Sequence, residues 1–178
     1  TTSLSKKVIA VESQALADLS KKPEELREKG VDSFNAWDAE RLRVKSGGLE
    51  VALAKSGEGQ WRFELGGKGE ANSSLVESFI RQVDGLEAVE FIDRPGPLAS
   101  YGLDKPRAEV VIRIKDLEGK ARDVTVQVGT EDKDKKQTVV RNPRLGYLLR
   151  VSSTFLADIP KTAKDWEKPR EEKSVEQP

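Results

Sequence analysis

Polar and apolar residues alternate with a period of two along most of this chain, and that alternation predicts antiparallel strands. In "ERLRVKSGGLEVALAK", Leu42 and Val44 are followed by Val51 and Leu53 across Gly47-Gly48. Two glycines between alternating runs mark a tight hairpin, because each can take a positive φ. "QWRFEL" sets Trp61, Phe63 and Leu65 on one face, with Arg62 and Glu64 on the other. "AEVVIRIKD" turns Val110, Ile112 and Ile114 inward against Glu109, Arg113 and Lys115. "RDVTVQVG" repeats the pattern with Val124, Val126 and Val128. Such strands make a sheet with one dry and one wet face. Its acids (Glu50, Glu64, Glu109, Asp123) are expected to pair across strands in solvent rather than form a binding patch.

One stretch changes period. "NSSLVESFIRQVDGLEAV" places Leu75, Val76, Phe79, Ile80, Val83 and Leu86 at helical spacing, a stripe suited to the dry face. Asn72 or Ser74 can cap it, and Ser74-x-x-Glu77 has the form of a capping box. The expected fold class is α+β: antiparallel sheet with one wet face, covered on the other by one main helix and short helices. "SGEG", "DLEGK", "GTEDKDKKQ" and "RNPRLG" read as polar turns, and "EKPREEKSVEQP" as a mobile tail.

The two ends resemble each other. "VESQALADLSK" at 11–21 and "VSSTFLADIPK" at 151–161 agree at six of eleven positions, and Leu19 meets Ile159. Each follows a short apolar strand, "KVIAV" or "YLLRV", and each can open a short helix with Leu16 and Leu19, or Phe155, Leu156 and Ile159, turned inward. "REKGV" at 27–31 is echoed by "REEKSV" at 170–175. An offset of 140 residues is close to a domain's length, so a tandem array is expected. Residues 1–26 would end one unit, 27–168 would form a complete one, and 169–178 would be a tail or the start of a third.

Composition narrows the chemistry. Lys+Arg and Asp+Glu are both 31, so no basic excess favours nucleic acid. Histidine and cysteine are absent, which removes the commonest neutral-pH acid–base group, thiolate catalysis, disulfides and cysteine zinc sites. No cofactor or metal is expected, no catalytic residue is assigned, and no run of apolar residues is long enough to insert in a membrane.

The least generic motif is "LASYGLDKPRAEV". Gly102 suits a positive φ, Asp104 an Asx turn, and Pro106 a fixed approach to the next strand, while Tyr101 and Leu103 would anchor the turn on the core. A binding role for Tyr101 or Asp104 requires exposure in a cleft. "ELGGKGEANSS" lacks the spacing of a phosphate loop and reads as a flexible connector. Arg141, Arg144 and Arg150 with Tyr147 form a basic group without the aromatic platforms that single strands need. Trp37 and Trp166 lie near the unit boundaries and suit either core packing or contact between units.

The ordered series "REKGVDSFNAWDAERLRV", "GQWRFEL", "ANSSLVESFIRQVDGL", "YGLDKP", "VTVQVGT" and "YLLRVSSTFLADIP" resembles the bacterial family called domain of unknown function 4340. The likeness covers about residues 27–168, with the end of a preceding copy at 7–26. Its most specific residues are Trp61, Tyr101, Gly102, Leu103, Asp104 and Pro106; the loop "GGKGE" departs from a pattern that often carries proline. The resemblance implies an N-terminal membrane helix, copies of the domain outside the cytoplasm, and genes beside ABC-transporter components. It supplies no catalytic residue. The leading expectation is a non-catalytic extracytoplasmic binding or assembly module whose partners are proteins, either transporter subunits or neighbouring units. A carboxylate-dependent hydrolase and a glycan or small-molecule binding module, the latter using exposed Trp and Tyr, are the alternatives.

Overall fold

The structure, a computed structural model, describes residues 27–115 and 118–168. Its strands are β1 (Ala39–Ser46), β2 (Leu49–Lys55), β3 (Trp61–Leu65), β4 (Ala88–Ile92), β5 (Ala108–Lys115), β6 (Ala121–Asp132), β7 (Gln137–Arg141) and β8 (Leu148–Ser152). They form an eight-stranded sheet in the order β3-β2-β1-β5-β6-β7-β8-β4, antiparallel throughout. The helix α1 (Ser73–Asp84) connects β3 to β4, the two edge strands.

That connection crosses the whole sheet. The twelve residues of α1 span about 18 Å. Flat strands at ordinary spacing would put the two edges about 34 Å apart. Residues 66–72 and 85–87 supply the rest of the crossing, and α1 packs on the dry face with Val76, Phe79, Ile80 and Val83. They meet the inward residues of the central strands, among them Val44, Val110, Ile112, Val124 and Val126, all buried.

Several expectations change at the margins. The cap of α1 is Asn72, whose side chain accepts from the Leu75 N–H at 3.3 Å. Ser74 lies inside the first turn, so the Ser74–Glu77 box does not start the helix. The reciprocal box forms instead between Thr162 and Asp165, at the 3₁₀ turn Ala163–Trp166. Leu75 is 47% exposed, because at 100° per residue it stands about 90° from the centre of the buried stripe. On edge strand β3, Trp61 is buried, Phe63 half-buried and Leu65 exposed: burial fades toward the end of the strand. The stretch "GTEDKDKKQ" is mostly strand, since β6 runs on through a bulge to Asp132 and only residues 133–136 turn.

Both sheet edges are closed by neighbouring segments. Beyond β3, the Phe63 N–H donates to Gly69 O at 3.0 Å and the Ala71 N–H to Trp61 O at 2.8 Å. Residues 66–71 are thus docked, not a loose connector. A β-carbon on Gly66 would come 2.3 Å from Glu50 O, so glycine is needed there for close approach. The chain's outgoing end lies outside this loop: Asn72 N–H donates to Trp166 O at 2.8 Å and Lys168 N–H to Glu70 O at 3.3 Å. At the opposite edge the incoming segment runs beside β4. The Ala88 N–H donates to Lys29 O at 2.8 Å and the Val31 N–H to Leu86 O at 3.1 Å.

After β8 the 3₁₀ turn Ser153–Asp158 is capped by Ser152 and buries Phe155, with Ile159 buried just beyond it. The matching sequence at 11–21, and the assignments of 1–26 and 169–178, lie outside the described residues. No helix among the described residues is long and apolar enough to cross a membrane.

Candidate functional site

The Tyr-Gly-Leu-Asp-x-Pro corner is built as a turn. The 3₁₀ turn Leu98–Tyr101 ends on Gly102 at φ 66°, a left-handed cap. Gly102 N–H donates to Ala99 O and Leu103 N–H to Leu98 O, both at 3.0 Å. Leu103 is buried with Val139 and Leu148 in a small second core that half-covers Tyr101. Asp104 is exposed, and the backbone cap closes the corner in place of the expected Asx turn. Pro106 leads into β5, where Arg107 N–H donates to Val128 O at 2.8 Å. Every residue of the motif serves to aim that strand.

The wet face is laced with pairs across strands. Arg113 reaches Asp123 at 2.9 Å, Lys115 reaches Glu40 at 2.8 Å, and Arg41 approaches Glu64 at 3.7 Å. Glu50 faces Arg43 and Lys45, and Glu109 accepts from Gln127 Nε2 at 2.8 Å. Each acid named from the sequence is thereby paired. The basic group is dispersed in the same way. Arg141 donates to Gln127 Oε1 at 3.2 Å, and Arg150 pairs with Glu90 at 3.2 Å.

The best-built polar site lies where the incoming segment meets the ends of β6 and β7. Asn142, 2% exposed, donates through Nδ2 to Val31 O at 3.0 Å and to Asp32 Oδ2 at 2.9 Å. Its Oδ1 accepts from the Arg144 N–H at 3.0 Å. Arg122 donates to Asp32 Oδ1 at 3.0 Å and to the Ser33 carbonyl. The Asp32 side chain is only 11% exposed, so its charge depends on these two partners. A few residues earlier the Arg27 guanidinium stacks 4.1 Å from the Phe91 ring centre and 3.9 Å from that of Tyr147, and pairs with Asp93. Glu28, Arg122, Asn142, Arg144 and Tyr147 border a cleft of about 340 Å³ here. The arrangement is a clamp on residues 27–33. Its chemistry is grip, since donors and acceptors are matched to each other.

Of the residues singled out in the sequence, Arg144 and Tyr147 of the basic group line this cleft, while Tyr101, Asp104 and Trp37 do not. Trp37 stands apart and 66% exposed, with Arg81 5.8 Å from its ring centre. Trp166 resolves the other way: it is buried, 5.2 Å from Phe79 between ring centres. Asp32, Arg122, Arg27 and Asn142 were missed. Only Asn142 carried a local signal, the Asn-Pro-Arg turn that its side chain closes. Among the described residues no group of acids has the arrangement of a metal site.

Fold and site define an α+β module with an eight-stranded antiparallel sheet and with residues 27–33 and 166–168 held at its edges. The chain belongs to the DUF4340 family, a domain of unknown function, whose model matches residues 2–97 and again residues 61–174. No curated protein and no solved structure matches it.

Proposed function

We propose that the chain is a non-catalytic binding and assembly module, one of a series of tandem units in a membrane-anchored extracytoplasmic protein that works with an ABC-transporter-like complex. The observation that carries this reading is the fixing of the first and last described segments, residues 27–33 and 166–168. The incoming segment is gripped by Arg122, Asn142 and the Phe91–Tyr147 pair, and the outgoing segment is bonded to the opposite sheet edge. Such fixing has little use in a module hung on loose linkers. It suits one that must hold its neighbours at a set angle. The double family match and the repeated sequence support the tandem arrangement. Exposed Trp37 offers the large apolar anchor that protein interfaces favour. The membrane and transporter context rests on the family resemblance.

The rival, a carboxylate-dependent hydrolase, has one observation on its side. Burial pushes the Asp84 carboxyl up, as a general acid requires. The Ala36 backbone N–H beside it pulls the other way, which sets this carboxyl where the turn Ala36–Asp38 meets α1 and gives it a structural setting.

The test is a photo-crosslinking residue at position 37 of the protein in its own cells, with adducts identified by mass spectrometry. Adducts to transporter subunits or to a neighbouring unit are expected. Turnover in a substrate screen, lost in Asp84→Asn at unchanged Tm, would establish the hydrolase instead.

A further inference from the structure

We infer that residues 27–31 form a strand shared by two consecutive units, bonded on one side to Leu86–Ala88 of their own unit and on the other to residues 70–72 of the copy before it. The inference rests on the tandem reading above and adds the geometry of the joint.

In an extended strand, successive residues direct their N–H and C=O groups to opposite sides. Lys29 O and Val31 N–H face β4, and Gly30 opposes Glu87 as the unbonded pair between them. Glu28 and Gly30 therefore turn their main-chain groups outward, and neither makes a main-chain hydrogen bond to a described residue. The outgoing end has the same construction. Trp166 O and Lys168 N–H face residues 70–72, with Glu167 opposing Ala71 as the unbonded pair.

The repeat superposes the two constructions. Continued without a gap from the matched segments 11–21 and 151–161, the offset of 140 sets Leu26, Arg27 and Glu28 where Trp166, Glu167 and Lys168 stand. This register replaces the echo of 27–31 in 170–175, which needs three extra residues in the later copy. The preceding copy's outgoing bonds would then use the C=O of residue 26 and the N–H of residue 28. This unit's incoming bonds use residues 29 and 31. Even and odd residues point to opposite sides, so one strand serves both copies without competition for any group. An odd offset would have set the two copies against each other for the same side. The occupant of the free edge is thus a second copy of this unit, through its residues 70–72, and the two sheets join into one.

A doubled chain tests the joint: residues 1–166 followed directly by 27–178. The junction carries Glu28→Lys, so that Glu70, which pairs with Lys168 at 3.2 Å in the single chain, keeps a lysine opposite it. Amide exchange followed by NMR should show the residue-28 N–H at the junction slowed by about tenfold or more relative to the single chain. Proline at that position should remove the protection and lengthen the particle in X-ray scattering. Glu28→Pro in the single chain should leave Tm unchanged. Two folded copies whose junction amide exchanges as fast as in the single chain would overturn the shared strand and spare the tandem reading. A second copy that fails to fold would overturn the unit boundaries, and the shared strand with them.

Discussion

The carbonyl oxygen of Tyr101 lies so close over Gly129 that a β-carbon on that glycine would come 2.1 Å from it. The contact seats the corner on β6 beside the bulge between Val128 and Glu131. Backbone against backbone cannot be relieved by a rotamer change. Gly129→Ala should therefore cost about 1–3 kcal/mol, as overpacking does, or more where the corner lifts away. Gly102→Val should cost about 1–2 kcal/mol from its left-handed φ, with Thr130 Cγ2 3.1 Å from the new β-carbon adding to it. Tyr101→Phe should stay close to wild type. Urea titration of the three variants checks the order.

The clamp gives the next expectation. Asn142→Ala strips Asp32 and the Val31 carbonyl of a buried donor, and should cost about 1–3 kcal/mol. Arg122→Ala leaves the Asp32 charge short of its cation and should cost as much or more. Replacing Asp32 and Arg122 together by Asn and Met should recover part of the loss. A double-mutant cycle with no coupling would show that the pair is incidental.

The two tryptophans should behave in opposite ways. Trp166→Ala opens a hole against Phe79 and should cost about 3–5 kcal/mol. Trp37→Ser, on an exposed turn, should stay within about 0.5 kcal/mol while reducing capture of the partner. Thermal unfolding, and crosslinking yield with the photo-reactive residue moved to position 81 beside Trp37, separate those effects.

Acid should weaken the fold through Asp165 and Glu131. Backbone N–H groups of Thr162 and Lys161 hold the Asp165 carboxyl low, and Arg107 does the same for Glu131. A lowered folded pKa means stability that is complete above the unfolded value, about 4, and lost as pH falls below it. Asp165→Asn should lower Tm at pH 7 and flatten the acid limb. Asp84 has the opposite sign: its raised folded pKa means stability lost as pH rises through that range. Asp84→Asn removes the cost of burying a charge and should raise Tm at pH 7 with little change at pH 3.

Local pattern carried the central strands, because inward Val110, Ile112, Val124 and Val126 obey a period that burial enforces along each strand. It carried Gly102 for a similar reason, since the turn itself demands the residue. The clamp was invisible. Arg122 and Asp32 are 90 residues apart and meet only because the sheet brings the start of β6 beside the incoming segment. Leu65 misled because alternation says which face a residue takes, not how far the opposing layer extends, and Leu75 because helical spacing does not say how wide the buried stripe is. The loop at Gly66 misled because glycine serves close approach and looseness equally well in sequence.

Arg27 and Lys168 leave the sheet from opposite edges, so a pull between them runs across the strands rather than along them. Ladders loaded in that direction open one bond at a time, like a zipper. The two bonds between residues 70–72 and 166–168 would part before β3 or α1 is disturbed. A string of such units would yield to tension in small, recoverable steps at its joints, with the cores left whole.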